Sequence, residues 1–222
     1  MPSYTAPTRD TQFVLHDVLK VTEAGIPGYD EMEASFTSAI LEEAGKLSGA
    51  VLAPLNVVGD TEGCVLENGV VRTPSGFKEA FEEYREGGWV SPSGDIEMGG
   101  MGLPILLSAV CGEYFIGANC SFMFTPGLTG SAARVVQECA SDELRTMYVE
   151  RMNTGQWGGT MCLTEPQAGS AVGDAMTKAV RQDDGSYLVE GSKIFISQGD
   201  QDLTENIVHL VLARTPDALP GT

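Results

Sequence analysis

The sequence pattern changes at Trp157, and this change constrains the fold more than any other feature of the chain. Between residues 30 and 53, apolar residues recur every three or four positions, as expected of an amphipathic helix. Similar helical segments continue to about residue 152, interrupted by a predicted loop over residues 54–75. Beyond Trp157, short apolar runs alternate with turns such as Asp183-Asp184-Gly185-Ser186, which is typical of strands. The chain is therefore predicted to be helical first and β-rich second.

We accordingly predict an α+β multidomain protein. An N-terminal all-α helical bundle is expected over residues 1–157, with residues 1–28 as an N-terminal extension. Part of an antiparallel β-barrel or sheet domain is expected over residues 158–222. The strands are predicted to be antiparallel because short strands joined by tight turns pair in that way, whereas parallel neighbours need a long crossover.

The end of the chain predicts that the protein is longer than this sequence. Only four or five strands are visible before Thr222, among them predicted strands at residues 193–197 and 207–214. A sheet of so few strands has an unpaired edge. We expect this chain to be a fragment, or the ordered part, of a longer protein.

The charge balance narrows the range of partners. Thirteen basic and 31 acidic residues give a net charge of −18. No basic stripe is available to displace counterions, so neither a nucleic acid nor an anionic membrane surface is an expected partner. No window of about 18 apolar residues predicts a membrane span, and the charged residues 1–20 do not resemble a signal peptide.

The cysteine and histidine patterns predict a cytoplasmic protein without a metal site. The five cysteines are an odd number and contain no Cys-x-x-Cys pair, so reduced thiols are the expected state. His16 and His209 lie far apart, and neither has a metal-ligand spacing around it.

The most informative local feature is the turn that follows the predicted strand at Trp157. Pro166 removes an amide, and Gly169 permits backbone conformations that other residues avoid. The amides of residues 167–170 are then free to bind an anion such as a diphosphate. Spacing alone nevertheless favours an ordinary surface loop between strands.

Several motifs together resemble one enzyme family. Met-Cys-Leu-Thr-Glu-Pro-x-Ala-Gly-Ser at 161–170, followed by Lys-Ile-Phe-Ile-Ser at 193–197, resembles the flavin-binding signature of the acyl-CoA dehydrogenases. Gly-Gly-Met-Gly at 99–102 resembles a loop of that family, and residues 141–157 resemble the helix and turn before its central domain. The opening residues 1–19 are similar to the extension of the 3-methylmercaptopropionyl-CoA dehydrogenase subgroup.

The resemblance implies an oxidoreductase acting on CH–CH groups, with FAD as cofactor and an acyl-CoA thioester as substrate. A glutamate base would remove the α-proton while flavin N5 takes the β-hydrogen as hydride. The resemblance implies eight cofactor-binding residues: Met161, Leu163, Thr164, Gly169, Ser170, Phe195, Ile196 and Ser197.

The implied roles differ along the motif. The first three of these residues would line the pyrimidine edge of the flavin, with the Thr164 hydroxyl donating to it. Gly169 and Ser170 would meet the diphosphate, and Ser170 is also the candidate substrate-binding residue, through the CoA moiety. Phe195 would pack on the ring system, and Ser197 would bond near N5.

Each residue also has an ordinary structural interpretation. Thr164 would then end a strand with its hydroxyl in water, and Phe195 and Ile196 would be core residues of a half-buried strand. The chain also departs from the family pattern. Phe195 stands where the family often has tryptophan, and Ala171 stands where it often has aspartate, which predicts a looser loop.

The resemblance implies that this chain is the N-terminal and partial middle portion of the protein, with the C-terminal helical domain absent. It places the catalytic glutamate in that domain, so no catalytic residue is assigned in this chain. Glu165 is expected to belong to the binding turn and not to act as the base. An electron-transferring flavoprotein is the expected electron acceptor, and a homodimer or homotetramer is the expected assembly of the full-length protein. Two alternatives are a non-catalytic flavin-fold relative that binds a partner, and a helical interaction module with a β appendage.

Overall fold

A computed structural model describes residues 4–219 and 221. Met1–Ser3 of the expected extension, and Pro220 and Thr222 of the expected β-domain, lie outside the described residues. The α-helices are α1 (Thr8–Phe13), α2 (Ala34–Leu47), α3 (Ala53–Glu62), α4 (Phe77–Glu86), α5 (Ile105–Ala118), α6 (Phe124–Cys139) and α7 (Asp142–Asn153). The strands are β1 (Val65–Glu67), β2 (Val70–Arg72), β3 (Trp157–Cys162), β4 (Lys178–Arg181), β5 (Tyr187–Glu190) and β6 (Asn206–Val211).

The helical part forms around one aromatic core. Helix α4 buries the face that carries Phe77, Phe81 and Tyr84, at intervals of three and four residues, as predicted. The Tyr84 ring lies 5.1 Å from that of Phe115 and 5.5 Å from that of Phe122, measured between centroids and with edge-to-face geometry. Such pairs add to the hydrophobic gain of burying large rings.

The prediction of a loop over residues 54–75 was wrong. Helix α3 follows α2 through the π-helical segment Ser48–Leu52 and continues to Glu62, with Pro54 in its first turn. Strands β1 and β2 then form a short antiparallel hairpin. Asn68 and Gly69 turn the chain with φ of 51° and 78°, as in the two-residue turns that favour Asn-Gly.

The β-rich part follows Trp157 as predicted, but its pairing is mixed. Strands β4 and β5 are antiparallel. Strands β3 and β6 are parallel, with Trp157 opposite Asn206 and Cys162 opposite Val211. The excursion through residues 163–205 supplies the long crossover that parallel pairing needs. Within the described part of the chain the strands form three two-stranded sheets, and no barrel closes.

Strand β3 lies directly on the helical part. A Cβ placed on Gly159 would come within 2.7 Å of the Ala132 side chain and 2.8 Å of that of Met152. Only glycine therefore permits this approach. Trp157 and Tyr148 pack beside it, with ring centroids 5.7 Å apart. This contact places β3 next to helices α6 and α7.

Neither a membrane-spanning helix nor a metal-binding cluster is present among the described residues. None of the helices there has both the length and the apolar character needed to cross a bilayer. No group of three or more His, Cys, Asp or Glu side chains in residues 4–219 and 221 is arranged to hold a metal ion.

Candidate flavin site

Part of one edge of β3, at Met161, is available to a ligand. The Leu212 amide donates to the Cys162 carbonyl at 3.1 Å, and the Glu205 amide donates to the Gln156 carbonyl at 3.1 Å. Even-numbered residues of β3 therefore direct their backbone groups toward β6, and Met161 directs its own toward the opposite edge. No strand among the described residues pairs with that edge.

The turn after β3 is closed by two reciprocal hydrogen bonds. The Glu165 amide donates to the Ala168 carbonyl at 2.9 Å, and the Ala168 amide donates to the Glu165 carbonyl at 3.1 Å. The amides of Gly169 and Ser170 have no hydrogen-bond partner among the residues that the structure describes, and both residues are exposed. Exposed amides at a tight turn are suited to an anion.

A buried carboxylate holds this turn in place. Glu165 is 4% exposed, and its side chain accepts from Lys193 Nζ at 2.7 Å, the Met176 amide at 2.7 Å and the Thr177 amide at 3.0 Å. The hydrogen bonds from Lys193, Thr177 and Met176 hold the pKa of Glu165 well below its usual range. A carboxylate with so low a pKa is a poor general base, which agrees with its expected place in the binding turn.

The second motif segment contacts the first. Lys193 Nζ donates to the Leu163 carbonyl at 3.0 Å, in addition to its bond with Glu165. The Ile194 amide donates to the Thr164 carbonyl at 2.9 Å. Two segments some 30 residues apart in sequence therefore lie side by side.

The prediction of a strand over residues 193–197 was wrong. Phe195 and Gln198 both have φ of 57°, which interrupts an extended path. The Gly199 amide then donates to the Ile196 carbonyl at 3.0 Å, which closes a turn. Phe195 projects into solvent with 88% of its surface exposed. The alternative that Phe195 is the core of a half-buried strand is excluded.

The remaining predicted site residues lie around these contacts. Met161, Leu163, Thr164 and Ile196 are partly buried, whereas Ser197 is exposed like Gly169 and Ser170. Sequence reasoning assigned no role to Lys193 and missed its pairing with Glu165. A lysine in one motif segment and a glutamate in the other were the available signal, but spacing along the chain does not reveal such a contact.

The comparisons with known proteins agree on one family. The model of the acyl-CoA dehydrogenase middle domain matches residues 160–220. The 3-methylmercaptopropionyl-CoA dehydrogenase of Ruegeria pomeroyi is 45% identical over 99% of this chain and 37% of its own length. The chain thus spans little more than a third of that relative. Over nearly its whole length the chain is similar to acyl-CoA dehydrogenases.

Solved structures share the fold. The acyl-CoA dehydrogenase of Bacillus anthracis, solved in complex with FAD, superposes with a TM-score of 0.65 at 24% identity, over 83% of this chain and 29% of that one. A chain from a structure of the electron-transferring flavoprotein of Acidaminococcus fermentans superposes with a TM-score of 0.63 at 25% identity, over 73% and 40%.

Proposed function

We propose that the full-length protein is an FAD-dependent acyl-CoA dehydrogenase that introduces a double bond between Cα and Cβ of an acyl-CoA thioester. The observation that carries the proposal is the contact between the two motif segments through Ile194, Thr164, Lys193 and Glu165. Near this contact in sequence lie the unpaired edge of β3 at Met161, the unpartnered amides of Gly169 and Ser170, and the exposed ring of Phe195. The activities named for the relatives support the reaction class.

The residues of the chain fit a flavin nucleotide. The free backbone groups of Met161 and the amide of Leu163, with the Thr164 hydroxyl beside them, would hold the polar edge of the ring system. The amides of Gly169 and Ser170 would hold the diphosphate, because exposed N–H groups stabilise negative charge. Ser170 would also contact the CoA moiety.

The later segment would supply the other side of the cofactor site. Phe195 and Ile196 would pack on the ring system, and Ser197 would bond near its centre. Bound FAD supplies the hydride acceptor, and the protein supplies orientation and preorganised donors at positions where negative charge develops. We assign no base within residues 1–222 and propose that it lies outside this chain.

Domain division and partners belong to the same proposal. We propose a helical domain over residues 1–157, with residues 1–28 as an extension, and part of the middle β-domain over residues 158–222. The full-length protein would be a cytoplasmic homodimer or homotetramer. Its electron acceptor would be an electron-transferring flavoprotein.

The test is a spectroscopic assay of the full-length protein. We expect purified protein to be yellow, with flavin absorbance that bleaches when a matching acyl-CoA is added without an electron acceptor. A panel of short and medium acyl-CoA thioesters, including a methylthiopropionyl thioester, identifies the substrate. Protein that stays colourless after incubation with excess FAD would overturn the proposal. Yellow protein that no acyl-CoA bleaches would favour the non-catalytic alternative.

A further inference from the structure

Asp202 joins the β-rich part to the helical part. Its side chain is 12% exposed. One carboxylate oxygen accepts from the Thr73 amide at 3.0 Å and from the Thr73 hydroxyl at 2.7 Å. The other oxygen lies 2.8 Å from Lys78 Nζ and 3.7 Å from an Arg72 nitrogen. Thr73 and Asp202 are 129 residues apart in sequence, so this contact is purely tertiary.

The Asp202 carboxylate is ionised at neutral pH. Burial acts to raise its pKa, but hydrogen bonds from Lys78 and Thr73 outweigh burial and lower the pKa to about 2. A partly buried carboxylate with charged and neutral donors forms stronger hydrogen bonds than an exposed ion pair. The contact of Asp202 with Thr73 and Lys78 can therefore hold the loop that precedes Asp202 in place.

The loop in question carries Phe195. Its first end is fixed where the Ile194 amide bonds to the Thr164 carbonyl. Its second end is fixed by Asp202 and by Leu203, which packs against the helical core. Between the two ends, Phe195, Ser197 and Asp200 are exposed, whereas Gln201 is buried and accepts from the Leu203 and Thr204 amides. A cavity of about 110 Å³ lies beside Gln198 and Leu203. The exposed part of the loop therefore depends on its two ends for its position.

We propose that Asp202 is a positioning residue for the cofactor. Its contacts with Thr73 and Lys78 hold the end of the Phe195 loop, and they thereby determine where Phe195 and Ser197 lie relative to the turn after β3. This inference rests on the proposed function. It assigns to the hairpin β1–β2 and the start of α4 a role in building a flavin site that they do not line.

The test uses the full-length protein with the variant Asp202→Ala and the matched control Asp200→Ala. Asp200 lies in the same loop, is exposed, and makes no hydrogen bond among the described residues. We expect the dissociation constant for FAD to rise about tenfold in Asp202→Ala and to stay within about twofold of wild type in the control. The visible circular dichroism of bound flavin should change only in Asp202→Ala.

Substitutions of Thr73 provide a second test, in which the Asp202 carboxylate itself is kept. Thr73→Ser keeps both donors to Asp202, and Thr73→Val removes the hydroxyl only. We expect wild-type flavin affinity and dichroism in the serine variant and an intermediate loss in the valine variant. A loss caused by reduced packing volume would not follow this order, because serine removes a methyl group whereas valine conserves the volume of threonine.

The outcomes separate this inference from the proposed function. Wild-type protein that binds FAD, with Asp202→Ala binding it equally and with unchanged dichroism, would overturn the positioning role alone. Wild-type protein that takes up no FAD would overturn the proposed function and the cofactor role together. In that case, faster amide hydrogen exchange at residues 196–203 in Asp202→Ala, but not in Asp200→Ala, would still show that Asp202 holds the loop. Equal exchange rates in the two variants would overturn that role as well.

Discussion

At the scale of single residues, the Glu165–Lys193 pair connects the two motif segments. The Glu165 side chain is 3% exposed and that of Lys193 is 10% exposed. The removal of one partner from such a pair leaves an uncompensated buried charge, which costs more than the pair itself contributes. The pair therefore determines whether the turn after β3 keeps its shape.

We predict that Lys193→Met destabilises the chain by about 3 kcal/mol at pH 7, because Glu165 loses its cationic partner. Chemical denaturation followed by circular dichroism measures the change. The matched control is Lys46→Met, which removes the exposed pair between Lys46 and Glu43 and should change stability little. Equal effects of the two substitutions would contradict the prediction.

The same variant has a pH signature. The pKa of Glu165 is lowered in the folded chain from an ordinary value of 4.5, so its stabilising contribution is complete above that pH and declines as the pH falls toward the folded value. The stability difference between wild type and Lys193→Met should therefore narrow below pH 4.5. A difference that stays constant from pH 7 to pH 3 would argue against an ionic cause.

At the scale of elements, β3 is the strand on which the site is built. It pairs with β6 on one edge, and its face packs on α6. The Gly159 amide donates to the Thr129 hydroxyl at 3.0 Å, which anchors the strand to the helix. Strand propensity predicted β3. It could not predict a parallel partner about 50 residues later, or a helix packed so closely on β3 that only glycine fits at position 159.

We predict that Gly159→Ala costs about 1–3 kcal/mol, because its methyl group would overlap Ala132 and Met152. The control is Gly127→Ala in α6, where an added methyl group meets nothing within 4 Å and should stabilise the helix by up to about 1 kcal/mol. Thermal and chemical unfolding of both variants measure the difference. A neutral Gly159→Ala would mean that β3 and α6 separate easily.

At the scale of the whole molecule, the described chain presents one open side of the proposed site. Phe195, Gly169 and Ser170 are exposed, and the chain spans 37% of the length of its Ruegeria pomeroyi relative. An aromatic ring with 88% of its surface in water provides little stacking energy until a second surface covers the ligand.

We predict that the 222-residue chain binds FAD weakly or not at all, whereas the full-length protein binds it stoichiometrically. Isothermal titration of both proteins with FAD measures the difference, and circular dichroism of the shorter protein verifies that it is folded. Tight, stoichiometric flavin in the 222-residue chain would show that residues 1–222 suffice for the site.

Local periodicity was enough to separate a helical part from a β-rich part and to predict the apolar face of α4, because both depend on neighbours three or four residues apart. Motif resemblance was enough to predict the family. The parallel pairing of β3 with β6, the break in the chain at Phe195, the Glu165–Lys193 pair and the Asp202 contact depend on groups that are distant in sequence. Their energies arise from burial and charge pairing after the chain has folded, so no local pattern encodes them.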